Sequence, residues 1–187
     1  TTTVTATVKG TDVSATVDVK VVPAIEYLSA TVGDINALDT QEDYNDLIAA
    51  YEDSWKDVAW KGDVLNSKII TCTRKAVNNA QITATDFVSG DAVISSDNVE
   101  IKWLKEIKAN IGRGNSSAPV KSFPDIIYKG GSLDIEANKV QQAWININVP
   151  KDAKPGVYKG TVTVTADELE TPYVFNYEFE VLDLVQP

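Results

Sequence analysis

Apolar and polar residues alternate with a period of two through much of the chain, and this pattern predicts β-strands. It is clearest in residues 157–166, where Tyr158 and Val164 share one side and threonines fill the other. One apolar side and one polar side are typical of a half-buried antiparallel strand. The preceding Pro155 and Gly156 predict a type II turn, because proline presets φ and glycine accepts a positive φ.

The same alternation, bounded by turn residues, predicts a series of strands after Val58. They are residues 64–73, 80–87, 99–108, 133–137, 142–149, 157–166 and 173–182. Short strands with regular turn signals and no crossover helices favour a mainly-β fold, an antiparallel β-sandwich of the immunoglobulin or fibronectin kind. Residues 109–131 are rich in Gly, Ser and Pro and predict a long loop. We expect it to pack down through Phe123, Ile126, Ile127 and Tyr128.

The beginning of the chain predicts a separate hairpin over residues 3–22. Two alternating segments, TVTATVKG and VSATVDVKVV, meet at Gly10. A two-stranded hairpin is marginally stable in water, so it needs a partner. Its pattern resembles the last two strands of a bacterial Ig-like repeat. We therefore divide the chain into residues 1–22, the end of an upstream repeat or an added hairpin, and residues 23–187, the β-sandwich.

One segment changes its period and predicts a short α-helix near residues 40–55. Its apolar stripe consists of Tyr44, Leu47, Ile48, Tyr51 and Trp55. Spacings of three and four residues place these side chains on one side of a helix, which Asp39 or Thr40 caps. The acidic residues nearby lack the spacing of a calcium-binding loop, and we interpret them as a solvated helix face.

Composition limits the partners of the chain. Its 17 Lys and Arg residues against 27 Asp and Glu give a formal net charge of −10. This balance argues against nucleic acid and anionic membrane surfaces as partners. No apolar run approaches the roughly 20 residues of a membrane helix, so we expect no membrane insertion. The chain contains no Met, and we expect it to be a piece of a larger protein.

The absence of histidine gives the strongest exclusion. Without His, Ser-His-Asp and Cys-His catalysis and His-ligated metal sites are ruled out. Cys72 is the single cysteine, and its surroundings, KIITCTRK, predict a small buried side chain and no nucleophile. The sequence therefore predicts no catalytic residue, no metal site and no cofactor.

A family resemblance is carried by an ordered series of segments. SWKDVAWKGDVLNSKIITCTRK is followed by PDII, by LDIEANKVQQA and by WININVPKDAKPGVYKGT, which begins at Trp144. Residues 50–187 resemble the non-catalytic N-terminal β-sandwich of glycoside hydrolase family 123-type proteins, the β-N-acetylgalactosaminidases. The resemblance implies that a barrel-like catalytic domain, carrying a consecutive Asp-Glu pair, follows the sandwich.

The function implied by this resemblance is that of an accessory domain without enzymatic activity. It implies a secreted, multidomain bacterial glycosidase, outside the cell or at its surface. The domain would scaffold the downstream catalytic domain and could contact a GalNAc-containing glycan. Two alternatives stay open, an autonomous carbohydrate-binding module and a structural Ig-like spacer of a cell-surface protein.

Asp167 and Glu168 match the letters of the family's Asp-Glu pair. They lie at a predicted hairpin tip, where acidic residues serve as soluble turn residues. Two catalytic carboxylates must flank a sugar pocket, and one of them needs a pKa raised by burial. A hairpin tip supplies neither, so we assign the pair no catalytic role.

The candidate contact surface surrounds Trp144. In QQAWININVP one side of the strand is apolar, whereas Trp144 shares the other with Gln142, Asn146 and Asn148. An aromatic ring beside amides suits a sugar, since the ring supplies flat apolar area and the amides fix orientation. The same residues suit a contact with a neighbouring domain, which is the interpretation we favour.

The other three tryptophans are interpreted differently. Trp103 lies in an alternating strand and Trp55 in the helix stripe, so both are predicted core residues. Trp60, beside Lys61, has no predicted role.

Overall fold

The computed structural model describes residues 2–19, 28–32, 52–110, 120–128 and 131–185. These residues form fourteen strands and one short 3₁₀ helix, Ser96–Asn98. The strands are β1 Thr2–Thr7, β2 Ser14–Val19, β3 Leu28–Val32, β4 Ser54–Lys61, β5 Val64–Thr73, β6 Val77–Ala84, β7 Phe87–Ser89, β8 Ala92–Ile94, β9 Val99–Asn110, β10 Val120–Tyr128, β11 Ser132–Ile135, β12 Val140–Asn148, β13 Gly156–Thr165 and β14 Tyr173–Val185. No helix in the described part of the chain is long and apolar enough to cross a membrane.

Two sheets pack around one core. One sheet has the strand order β10-β9-β12-β5-β3, and the other has the order β11-β6-β13-β14-β4, with β7 and β8 attached beside β13. Among the described strands every pairing is antiparallel except that of β14 with β4. The predicted mainly-β sandwich is confirmed.

The core lies between the sheets and is built from the inward side chains of alternating strands. The largest side chains with almost no exposure are Trp103, Tyr158, Tyr177, Phe87, Phe175 and Phe179. The Ser67 hydroxyl of β5 lies 2.5 Å from the Tyr177 hydroxyl of β14, so a hydrogen bond joins the two sheets. The predicted division of β13 into an apolar and a polar side is confirmed, as is the burial of Trp103.

The predicted loop 109–131 is wrong over residues 120–128. These residues form β10, an edge strand paired with β9 through a bulge between Pro124 and Ile126. An edge strand needs partners on one side only, so it tolerates a proline that donates no backbone hydrogen bond. Of the side chains expected to pack down, Tyr128 is half-buried against the core, but Ile127 is 44% exposed, so the expectation is wrong for Ile127. The side chains of Phe123 and Ile126 lie outside the described residues.

The predicted helix near residues 40–55 falls mostly outside the described residues, which resume at residue 52. At its end the prediction is wrong, because Ser54 and Trp55 begin β4, which pairs with β14. The Trp55 ring centre lies 4.9 Å from that of Tyr177. Trp55 therefore packs against the core as predicted, but it does so from a strand and not from a helix. Backbone hydrogen bonds to β14 explain why a strand forms here.

The predicted N-terminal hairpin is present as β1 and β2, which form a two-stranded sheet of their own. Gly10 in the connection has a φ of 82°, which glycine adopts without steric cost. Residues 3–17 are all exposed. The assignment of residues 1–22 to an upstream repeat or to the main sheet stays a prediction.

The turn before β13 lies at a different position from the one predicted at Pro155 and Gly156. The hydrogen-bonded turn lies earlier, where the Ala153 N–H donates to the Pro150 carbonyl at 3.1 Å. Gly156 is instead the first residue of β13, with a φ of 151°. A Cβ at this position would lie 2.6 Å from Ser89 Oγ, so the Ser89 side chain would have to move, and the positive φ favours glycine.

Candidate functional site

Trp144 lies on the outer face of the five-stranded sheet, near its middle. Its strand β12 runs between β5 and β9, and the register places Trp144 opposite Lys68 of β5 and Lys102 of β9. Residues directly opposite each other in antiparallel strands share a face. Trp144 is 38% exposed, so its ring is accessible between two lysines.

Two of the predicted amides continue this surface along β12. Asn146 lies opposite Asn66 of β5 and Glu100 of β9. The side-chain amide of Asn148 donates to the Asn98 carbonyl at 3.1 Å. We use the name Trp144 surface for a set of neighbouring residues on this face. They are Asn66, Lys68, Glu100, Lys102, Trp144, Asn146 and Asn148.

The fourth predicted contact residue, Gln142, shares this face but is only 3% exposed. Neighbouring outward side chains are buried as well, although they lie outside the core between the sheets. They are Ile70, Cys72, Leu104 and Val140. The structure thus divides the outer face into a buried end, which contains Gln142, and an accessible end, which contains the other three predicted residues.

The accessible end offers donors and acceptors of several kinds. Lys102 Nζ lies 2.6 Å from Glu100 Oε2, and this ion pair runs along β9. The Asn146 Oδ1 atom is buried and has no hydrogen-bond partner among the described residues. A buried acceptor without a partner costs about 1–3 kcal/mol. An indole ring with ammonium, carboxylate and amide groups around it can bind a hydroxyl-rich ligand or a polar protein surface.

Asp167 and Glu168, the pair that matches the family's letters, hold a turn in place. Glu168 Oε2 accepts the backbone N–H of Asn78 at 2.9 Å, and Glu168 Oε1 accepts its side-chain amide at 2.7 Å. Asp167 Oδ1 accepts the side-chain amide of Asn79 at 3.2 Å. Asn79 has a φ of 52°, so these bonds fix an unusual backbone conformation at the start of β6. The carboxylates are engaged with β6, and their geometry gives them a structural role.

Cys72 is buried, as predicted. Burial raises the pKa of its thiol, and the nearby Arg74 lowers it to a smaller extent. A raised pKa keeps the thiol protonated at neutral pH, and the thiol form is a poor nucleophile. The described residues contain no group of three or more His, Cys, Asp and Glu side chains arranged to hold a metal ion.

A second accessible tryptophan is Trp60, to which the sequence analysis assigned no role. It lies on β4, the edge strand of the seven-stranded sheet, and is 43% exposed. Val58 precedes it on the same strand, and Leu184 and Val185 end the neighbouring β14. The alternation of β4 contained the signal, because Val58 and Trp60 stand on the side opposite Trp55 and Ala59.

Two facing sheets around a single core define the chain as a β-sandwich module. The family model for the glycoside hydrolase 123 N-terminal domain matches residues 32–166. The chain belongs to this family, and the resemblance noted in the sequence is confirmed.

A similar solved structure supports the same assignment. It is a family 123 glycoside hydrolase from Clostridium perfringens, whose structural analysis gives details of glycolipid glycan hydrolysis. The match has 51% sequence identity and a TM-score of 0.81, and it covers 86% of this chain but 28% of that one. The chain therefore spans little more than a quarter of that enzyme's length.

Other structural likenesses are much weaker. A FixG-related protein from Vibrio parahaemolyticus is 7% identical, with a TM-score of 0.40 over 84% of this chain and 98% of that one. The CooA pilin subunit from enterotoxigenic Escherichia coli is 9% identical, with a TM-score of 0.38 over 85% and 99%. At these values neither likeness bears on function. No curated protein sequence matches the chain.

Proposed function

We propose that this chain is the non-catalytic accessory domain of a secreted bacterial glycoside hydrolase. In this proposal a longer protein, the parent protein, continues beyond Pro187 with a catalytic domain, which the present domain scaffolds. The observation that carries the proposal is the family itself, whose members are N-terminal domains. The share of 28% in the Clostridium perfringens hydrolase supports it, because most of that chain lies outside the matched part.

The contacts of the acidic pair support a catalytic centre elsewhere. A glycosidase that uses two carboxylates places them about 5–9.5 Å apart on either side of a sugar. In this chain Glu168 uses both of its oxygens to bind Asn78. A carboxylate engaged in this way fixes the start of β6, which is a structural role.

The substrate we propose for the parent protein is a glycan that contains GalNAc. Support comes from the resemblance to β-N-acetylgalactosaminidases and from the relative that hydrolyses glycolipid glycans. Glycolipid glycans are displayed on the outside of cells, so an enzyme that reaches them acts outside the cell or at its surface.

The acidic pair provides a direct test of this function. The parent protein is expected to release GalNAc from a β-GalNAc-terminated oligosaccharide. The double variant Asp167→Asn, Glu168→Gln should keep the same kcat/KM at a temperature where thermal unfolding shows it to be folded. Loss of a general acid or base lowers the rate by about 10²–10⁴-fold, and a loss of that size would place the catalytic pair in this domain.

Carbohydrate binding at the Trp144 surface is a second candidate function. It is supported by the accessible Trp144 ring beside Asn146 and Asn148. An aromatic ring that faces a sugar gains affinity from flat apolar contact, and polar neighbours set the orientation of the sugar. The competing interpretation is that a neighbouring domain covers the same residues.

Calorimetric titration of the chain with GalNAc-containing glycans separates these two interpretations. Binding that weakens about tenfold or more, 1.4 kcal/mol, in Trp144→Ala favours a glycan site. Trp60→Ala is the matched control, because Trp60 is exposed to a similar extent on the other sheet. Absence of binding across these glycans would count against the second candidate.

A further inference from the structure

One side of the β1–β2 hairpin consists of apolar residues that pair across the two strands. The register places Val4 opposite Val17, and the same alternation continues on both strands to the connecting turn. We call this side the hairpin face. Its members are Val4, Ala6, Val8, Val13, Ala15 and Val17. The four valines are between 50% and 63% exposed, and both alanines are exposed as well.

The opposite side of the hairpin is polar. Thr5 lies opposite Thr16, and Thr7 lies opposite Ser14. An apolar side and a polar side are typical of an antiparallel sheet that packs one side on a core and leaves the other in water. A hairpin on its own is marginally stable. The hairpin face therefore requires a layer that covers it.

The outer edge of β1 also lacks the features that prevent strand pairing. Proteins protect such edges with charged residues, prolines or bulges. β1, Thr2–Thr7, contains no charged residue and no proline, and it pairs with β2 without a register shift. Among the described strands only β2 pairs with it. The edge and the hairpin face together indicate two strands of a larger β-structure.

The GH123-type sandwich is a poor cover for the hairpin face. The family model begins at residue 32, after the hairpin has ended at Val19. The accessible end of the five-stranded sheet carries Lys68 and Lys102, and the outer face of the other sheet carries Glu178 between two lysines. An apolar layer placed over these groups would remove charges from water, which is costly.

A second copy of the chain is also a poor cover. A stable interface between proteins buries about 800 Å² on each partner. The hairpin face consists of four valines and two alanines, which are small side chains, so two such faces do not supply this area. A layer in the same chain needs less area, because linkage makes the contact intramolecular. The size of the face therefore favours a cover that is covalently continuous with the hairpin.

We propose that the hairpin face packs against a β-sheet formed by residues that precede Thr1 in the parent protein. In this proposal β1 and β2 complete the β-sandwich of a separate upstream domain. Thr2 begins β1, so any preceding residues enter directly at the hairpin. Two sheets of a sandwich pack through interdigitated inner side chains, so the partner sheet presents an apolar side. This inference goes beyond the proposed function, because it concerns another domain and does not require catalysis.

Hydrogen–deuterium exchange at residues 3–17 tests this packing in three proteins. They are the whole parent protein, the parent protein shortened to begin at Thr1, and the 187-residue chain. We expect these amides to exchange about tenfold or more slowly in the whole parent protein than in the other two, because the packed layer must open first. Slow exchange of the β13 amides in all three proteins checks that the sandwich is folded.

Variants of the whole parent protein identify the packed side. Val4→Ser and Val17→Ser should each speed the exchange of residues 3–17 by about tenfold or more. Thr5→Ser and Thr16→Ser are the matched controls, because they form the next cross-strand pair and lie on the polar side. The controls should leave this exchange unchanged. This comparison decides the question even if the shortened parent protein does not fold.

Three results would overturn this inference. Equal protection of residues 3–17 in the whole and the shortened parent protein would show that the sandwich or a later domain covers the hairpin face. Protection in the 187-residue chain that rises with protein concentration would show that a second copy covers it. Fast exchange in the whole parent protein, or equal effects of the valine and threonine variants, would show that no layer packs on this side.

Discussion

Glu178 lies between two lysines on the outer face of the seven-stranded sheet. Its carboxylate oxygens lie 2.9 Å from Lys159 Nζ and 3.1 Å from Lys56 Nζ, so these two ion pairs link β14 to β13 and β4. The hydrogen bond from Lys159, followed by that from Lys56, lowers the pKa of this carboxyl. A group with a lowered pKa in the folded state binds fewer protons than in the unfolded chain at acid pH. Its stabilising effect is therefore complete above the unfolded pKa and declines as pH falls through the folded pKa.

We predict that Glu178→Gln reduces the dependence of stability on acid pH. The free energy of unfolding of wild type should exceed that of the variant by a constant amount near neutral pH, and the difference should shrink below the ordinary glutamate pKa. Urea unfolding at a series of pH values measures it. Glu180→Gln, two residues along the same strand, is the control. Equal pH dependence in the two variants would contradict the role given to Glu178.

Asn146 carries a buried acceptor whose partner is missing among the described residues. We predict that Asn146→Val raises the free energy of unfolding by about 1 kcal/mol, because it removes this acceptor and adds a residue suited to strands. Asn148→Val is the matched control, since its amide donates to Asn98, and it should give no comparable gain. Chemical denaturation measures the free energy of unfolding of both variants. Equal gains in the two would contradict the role of the buried acceptor and show that strand propensity alone is the cause.

At the scale of elements, β13 depends on the close approach of β7. A Cβ at Gly160 would lie 2.6 Å from Phe87 Cδ1 and 2.8 Å from the Asp86 carbonyl. Thr161 N–H donates to Thr85 Oγ1 at 2.9 Å, and Thr85 N–H donates to the Thr161 carbonyl at 2.9 Å, so the strands cannot easily separate. The glycine therefore makes room for a ring of the core.

We predict that Gly160→Ala destabilises the domain by about 1–3 kcal/mol, the usual effect of overpacking. Gly131→Ala is the control, because a Cβ there would have no atom within 4 Å, and it should be neutral or slightly stabilising. The midpoint of thermal unfolding measures both. A similar midpoint for the two variants would show that β7 shifts without cost.

The strands that could be predicted are those with strict alternation, such as β13, predicted over residues 157–166 and observed over Gly156–Thr165. β10 escaped prediction because Pro124 and the residues before it are typical of a loop, and only its edge position makes a strand acceptable. β4 escaped because Trp55 fits both a helical and an alternating spacing. Contacts such as that of Gly160 with Phe87 depend on residues distant in sequence, which a local pattern does not contain.

At the scale of the whole molecule, the two accessible tryptophan surfaces lie on different sheets. Alternation placed Trp144, Asn146 and Asn148 on one face, and the structure agrees. It also placed Gln142 there, but burial depends on what lies over the sheet, and Gln142 is inaccessible. The place of Trp60 on an edge strand follows from the parallel pairing of β4 with β14, which joins distant segments of the chain.

Sugar release by the 187-residue chain and by the parent protein, measured side by side on a β-GalNAc-terminated oligosaccharide, tests the central claim most directly. We predict that the parent protein releases GalNAc and that the chain alone, at the same molar concentration, releases none. Release of GalNAc by the chain alone would contradict the account, because it would place the catalytic residues within this domain.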